Sequence, residues 1–141
     1  SRGKVDGIAI TLQKWDFHRF QPDFVVINLG TNDDSYCKDI TARQEEYAAC
    51  YAQFLQQVRS HNQEAYILCV YGIMTDRLYP YVQKAVEIYQ KQTGDERIRA
   101  LHIEPHTEEA GYAADWHPSK LTHTRAAGEV AAQIRSFWEM C

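Results

Sequence analysis

Three short apolar runs punctuate the chain: FVVINL at 24–29, YILCVY at 66–71 and IRALHI at 98–103. Each is rich in β-branched and aromatic residues and is bounded by polar turn-forming residues, the pattern that predicts a strand. The runs are apolar almost without interruption. That suits strands covered on both faces, as in a parallel sheet, better than the strict alternation of a half-exposed one.

Between the runs, apolar residues recur at the three-and-four spacing of a helix face. Tyr47, Cys50, Tyr51, Phe54, Leu55 and Val58 form the first such face, with Thr41 and Gln44 available as a capping box at its start. Val82, Ala85, Val86 and Tyr89 form the second, opened by Pro80 and closed by Gly94. Ala127, Val130, Ala131, Ile134 and Trp138 form the third. Alternating strands and helices predict an α/β fold: a three-layer parallel sheet with helices on both faces, built from βαβ units. Three strands are fewer than the roughly four to six usual in a sheet. A partner or an absent N-terminal portion is therefore expected to supply more, and residues 1–141 read as one module of an N-terminally truncated domain.

Composition narrows the function. The 141 residues are 45% hydrophobic, enough for a single core. Fifteen basic against nineteen acidic residues give a net charge of −4, with no basic stripe, so nucleic acid is not an expected partner. No apolar run approaches the roughly 18–20 residues that cross a bilayer, and no membrane partner is expected. The opening SRGKVDG has neither an initiator Met nor an apolar signal core, so the chain is expected to start inside a longer gene. Four cysteines, at 37, 50, 69 and 141, form no CxxC pair. Cys50 and Cys69 fall at apolar positions of a helix and a strand, where a free cysteine is expected to be a small buried hydrophobe.

In a parallel sheet, ligand sites form beyond the carboxyl ends of the strands. Segments 30–41, 72–79 and 104–119 arrive there. The first carries Asn32, Asp33 and Asp34, and the last carries Asp115, Trp116 and His117 ahead of Pro118. A carboxylate near an imidazole can hold its tautomer and stabilise the imidazolium formed on proton transfer. On spacing alone, His117 can equally be a solvated ring and Asp115 a turn residue. The Asn32 carboxamide has two donors suited to an oxyanion, and Asn is also a common turn residue. Asp33 and Asp34 with His117 offer a divalent cation too few oxygens. His102 and His106 straddle Pro105 and share no helix face, while His18, His61 and His123 read as surface residues. No metal or cofactor is expected.

Taken together, GTND at Gly30–Asp33 and DWHPS at Asp115–Ser119 resemble the SGNH (GDSL-like) hydrolase family, whose flavodoxin-like layering is the fold expected above. DWHPS and the stretch from WDF at Trp15–Phe17 through PDFVVINLGTND resemble the family 2 carbohydrate esterases, a branch of acetyl esterases. The resemblance implies that Gly30 forms the turn, that Asn32 is an oxyanion donor and that His117 is the catalytic base. The usual family Asp stands three residues before the His, where this chain has Ala114; Asp115 stands two before. Either Asp115 or a backbone carbonyl therefore orients His117. SRG at Ser1–Gly3 resembles the remnant of a second family block, making the Gly3 N–H a further oxyanion donor.

The family's nucleophilic serine lies in a Gly-Asp-Ser block on a first strand, and this chain contains no such block. Ser35 and Ser119 lack a nucleophile-elbow context, and Cys37 is a remote substitute. The resemblance implies a serine esterase removing acetyl groups from a polysaccharide or oligosaccharide, without cofactor, in a secreted or periplasmic setting. Its nucleophile is expected in a missing N-terminal segment, and the chain alone is expected to be inactive. Trp116 can stack on a sugar ring or pack beneath its loop. A different class remains open: a non-catalytic carbohydrate-binding or interaction module with the same fold.

Overall fold

The computed structural model describes residues 2–5, 8–11, 16, 19–72, 75–104 and 120–139. Strands β3 (Phe24–Asn28), β4 (Tyr66–Gly72) and β5 (Ile98–Ile103) form a parallel sheet in the order β3-β4-β5, preceded in the chain by β1 (Arg2–Val5) and β2 (Ile8–Thr11). The parallel α/β layering expected from the apolar runs is present. The β1–β2 pair is an addition: a separate two-stranded antiparallel sheet in which Gly3 stands opposite Ile10. Asp6-Gly7 between these runs is a hairpin signal in the sequence, but runs of four residues are too short to show strand periodicity by themselves.

Helices α1 (Thr31–Cys37), α2 (Thr41–His61), α3 (Tyr79–Thr93) and α4 (Lys120–Glu139) complete the fold. α3 follows its sequence signals: proline sits in the first turn and Gly94 closes it at φ 71°. The capping box expected at Thr41 and Gln44 does not form. Thr41 is already the first helical residue and Ile40 the cap, so Gln44 lies one position too far on to answer it. Gln44 instead donates Nε2 to the Lys38 carbonyl at 2.6 Å.

Strand alternation divides the core. Ile67, Cys69 and Tyr71 of β4 face Tyr51 and Leu55 of α2 and Val82, Ala85 and Tyr89 of α3, all in one buried cluster. Leu68 and Val70 point the other way and pack with Ile103 and Ala126 of α4. Ile67, Leu68 and Cys69 are each 0% exposed, and a fully buried aliphatic side chain contributes about 1.5–3 kcal/mol. β4 is thus the central, doubly covered strand. β3 is an edge strand, and its Val26 remains 45% exposed.

Two details depart from expectation, the α4 stripe and Cys50. The buried stripe of α4 runs through Ala126, Val130 and Ile134, while Ala127 and Ala131 face solvent. A single i, i+4, i+8 row suffices because α4 covers only the narrow strip over β4 and β5. Cys69 is buried, and burial pushes its thiol up to about 12. Cys50 is exposed, because that side of α2 projects past β3, where the sheet ends. There it lines a groove of about 400 Å³ with Leu29, Tyr36 and Phe54.

The start of the sheet is fastened by Arg59. Its guanidinium meets Asp95 at 2.8 Å and donates to the carbonyls of Asn62, Gln63, Ala65 and Arg97. Asp95 also accepts from the Tyr89 hydroxyl at 2.6 Å and from the Arg97 N–H at 2.9 Å. Burial alone would raise the Asp95 pKa. The hydrogen bonds from Tyr89, Arg97 and Arg59 outweigh it and hold the carboxyl below its ordinary 3.8.

A depressed carboxylate pKa adds stability above about pH 4 that is lost as pH falls through the folded-state value. Asp95→Asn is expected to cost about 1.5–3 kcal/mol at pH 7, the worth of hydrogen bonds to a charged group, and to flatten the acid limb of stability. Urea unfolding at pH 7 and pH 3 checks both; an unchanged acid limb removes Asp95 from the account.

Candidate active site

The carboxyl ends of β3, β4 and β5 share one edge, as parallel pairing requires. At the end of β3 the chain turns sharply at Gly30, which is buried, has φ 127° and stands as N-cap of α1. An added Cβ there would lie 2.6 Å from Tyr71 Cε2 and 2.7 Å from the Tyr47 hydroxyl. No side chain fits. Tyr47 in turn donates its hydroxyl to the Leu29 carbonyl at 3.0 Å, pinning the strand end to α2. Burial raises the Tyr47 and Tyr71 phenols, so both stay neutral.

Within segment 30–41, where the sequence pattern predicts no helix, residues 31–37 form the seven-residue helix α1. Propensity could not show this, since a helix so short is unstable alone. Tertiary contacts hold it: Cys37 and Asp34 are buried, Arg43 Nη1 donates to the Tyr36 carbonyl at 2.9 Å, and Gln44 reaches Lys38. Asn32 lies in the first turn of α1 and is exposed, immediately past the Gly30 turn at the functional edge. Asp33 is also exposed, whereas Asp34 is buried with Oδ1 3.3 Å from Arg77 Nε. The two adjacent aspartates therefore have different environments.

The end of β4 carries a second constrained glycine. Gly72, at φ 139°, approaches β5 so closely that a Cβ would fall 1.8 Å from the Ile103 carbonyl oxygen. On β5, His102 stacks obliquely on Tyr79 at 4.7 Å and stands 3.8 Å from Asp76. His61 and His123 are exposed. Asp115, Trp116 and His117 lie outside the described residues, as do His18 and His106. Gly3 lies in β1, in the separate two-stranded sheet. The residues not singled out in the sequence are Tyr47, Tyr71 and Arg77. The tyrosines occupy ordinary apolar positions, and Arg77 follows Asp76 in sequence while its buried partner lies forty-three positions earlier in the chain.

This edge, a parallel sheet ending in a glycine turn with an exposed asparagine on the helix that follows, has the layering of the SGNH esterases. The family model of the GDSL-like lipase/acylhydrolases matches residues 5–128, and the chain belongs to that family. It is 32% identical over 128 residues to the cellulase/esterase CelE of Acetivibrio thermocellus, covering 87% of this chain and 15% of the relative. It is 28% identical to an acetylxylan esterase/glucomannan deacetylase of Cellvibrio japonicus, covering 89% of this chain and 34% of the relative. Among solved structures, a family two carbohydrate esterase from Clostridium thermocellum in complex with cellohexaose matches with a TM-score of 0.79 and 30% identity, over 91% of this chain and 40% of that one. The acetyl xylan esterase Est2A of Butyrivibrio proteoclasticus shares the fold with a TM-score of 0.82 at 24% identity, over 88% and 39%. The chain thus spans well under half the length of these relatives.

Gly30→Ala is expected to destabilise the protein by about 2–4 kcal/mol, combining a strained φ with overpacking against the two tyrosines. Thermal unfolding checks it. A loss below about 0.5 kcal/mol, the size of a surface change, would mean that the turn relaxes.

Proposed function

We propose that residues 1–141 form the C-terminal, larger part of a single SGNH-type domain that removes acetyl groups from polysaccharide or oligosaccharide. The nucleophilic serine belongs to a segment outside this chain. His117 takes the serine proton as it attacks the ester carbonyl and returns it to the leaving sugar oxygen, and Asp115 or a backbone carbonyl orients the imidazole. Asn32, with Gly3 as a further backbone donor, stabilises the tetrahedral oxyanion. Trp116 stacks on the sugar. Water then releases acetate from the acyl-enzyme with His117 again acting as base.

The observation that carries this reading is the Gly30–Asn32 turn: an exposed carboxamide on a helix that is anchored on its opposite side, just beyond an edge strand. A donor held that way reorganises little as charge develops, which is what oxyanion stabilisation needs. The edge position of β3 in this sheet also leaves it open to pairing with a further strand. The cellohexaose complex of the Clostridium thermocellum relative favours one second reading, a carbohydrate-binding module without catalysis.

In a protein that joins this chain to its nucleophile segment, Asn32→Ala is expected to lower kcat by about 10² to 10³ with KM little changed. An unchanged kcat removes Asn32 from the mechanism. The 141-residue chain alone is expected to hydrolyse p-nitrophenyl acetate no faster than its His117→Ala variant. Robust turnover lost in that variant would instead put the nucleophile within the chain, with Ser35, Ser119 and Cys37 the positions to substitute. Cello-oligosaccharide binding by a joined protein inert towards acetyl esters would favour the binding module.

A further inference from the structure

Asp34 is a buried carboxylate for which the esterase mechanism has no use. Only 10% of its side chain is exposed, and its Oδ1 is buried without an aligned hydrogen-bond donor, although Arg77 Nε lies 3.3 Å away. Arg77 comes from the turn before α3, across the carboxyl ends of β3 and β4 from α1. Its Nη1 also lies 3.9 Å from Oδ1 of Asp39, just past the end of α1. The guanidinium therefore straddles the C-terminal half of the helix. α1 has no basic residue in its last turn, so Arg77 supplies from outside the positive charge that a helix C-terminus favours.

α1 needs such support. It has seven residues, no side-chain N-cap hydrogen bond and a C-cap, Lys38, at φ 46°, a left-handed conformation costly for a residue other than glycine. Arg43 and Gln44 hold its last carbonyls to α2. Arg77 is its charged tie to the β4–α3 side.

We propose that Arg77 is a positioning residue: gripping the Asp34 carboxylate and flanking Asp39, it fixes the short helix that carries Asn32 and so sets where that carboxamide points. The catalytic consequence rests on the esterase reading above; the latch itself does not. Nor is the pair chiefly a source of stability. Burial, the largest influence, raises the Asp34 pKa, Arg77 pulls it down, and Asp39 and Asp76 push it further up, leaving it above the ordinary value. A raised carboxylate pKa means that ionising Asp34 costs more in the folded than in the unfolded chain, so its charge adds no stability at neutral pH. An ion pair kept on those terms fits a role in fixing geometry.

The test uses Asp34→Asn, Arg77→Met and Arg77→Lys. Amide hydrogen exchange on the 141-residue chain is expected to accelerate about tenfold at residues 34–38 in the first two variants, with β4 and α3 unchanged as the control for folding. Arg77→Lys should restore part of the protection. In the joined esterase, Arg77→Met is expected to lower kcat about ten- to a hundredfold with KM within about twofold. Unchanged exchange at 34–38 overturns the latch. Faster exchange with wild-type kcat overturns the positioning role. A joined protein with no ester turnover at all fails the esterase reading alone, and the exchange data still decide the latch.

Discussion

The Arg59 guanidinium is the fastening on which the layered core depends. Two crossover helices return to the sheet near the same place, and the turns there bring the carbonyls of Asn62, Gln63, Ala65 and Arg97 around one point. One planar, permanently charged donor group serves all four and meets Asp95 as well. Without it, four carbonyls and the Asp95 carboxylate would each lose a hydrogen bond together, a larger penalty than the loss of any one bond. The ends of α2 and α3 and the starts of β4 and β5 are therefore joined through one side chain.

That concentration of polar satisfaction at the amino edge of the sheet leaves the carboxyl edge free for a different design. There the chain uses positive-φ glycines at the ends of β3 and β4, where Tyr71, Tyr47 and the Ile103 carbonyl approach too closely for a Cβ. The edge also carries a seven-residue helix that folds only because its neighbours hold it. The same edge exposes Asn32 and Asp33 while burying Asp34 on Arg77. A polar group presented to solvent on an anchored backbone is the arrangement that binding and catalysis require, because the ordering cost has been met on folding.

The groove beside β3 shows how an edge strand alters burial. Cys50 and Phe54 follow the same helical period as Tyr51 and Leu55. Tyr51 and Leu55 sit over the sheet, whereas Cys50 is exposed and Phe54 is 39% exposed beyond its border. Periodicity gives a face its direction. The width of the sheet beneath decides how much of that face is covered.

The sequence by itself determined the three parallel strands, the long helices between them and the family to which the chain belongs. Those features rest on local apolar periodicity, on Pro80 and Gly94, and on the paired GTND and DWHPS motifs. It also singled out Gly30 and Asn32, because a glycine followed by an asparagine at the end of an apolar run is a local signal. Tertiary structure alone decided that residues 31–37 are helical, that Gln44 bonds to Lys38 and caps no box, and that Ala126 belongs to the buried stripe of α4. It alone assigned Asp33 to solvent and Asp34 to Arg77. The physical reason is common to all of these: each depends on a partner brought near by the crossovers or on the width of the surface covered. Neither quantity is written in the spacing of neighbouring residues.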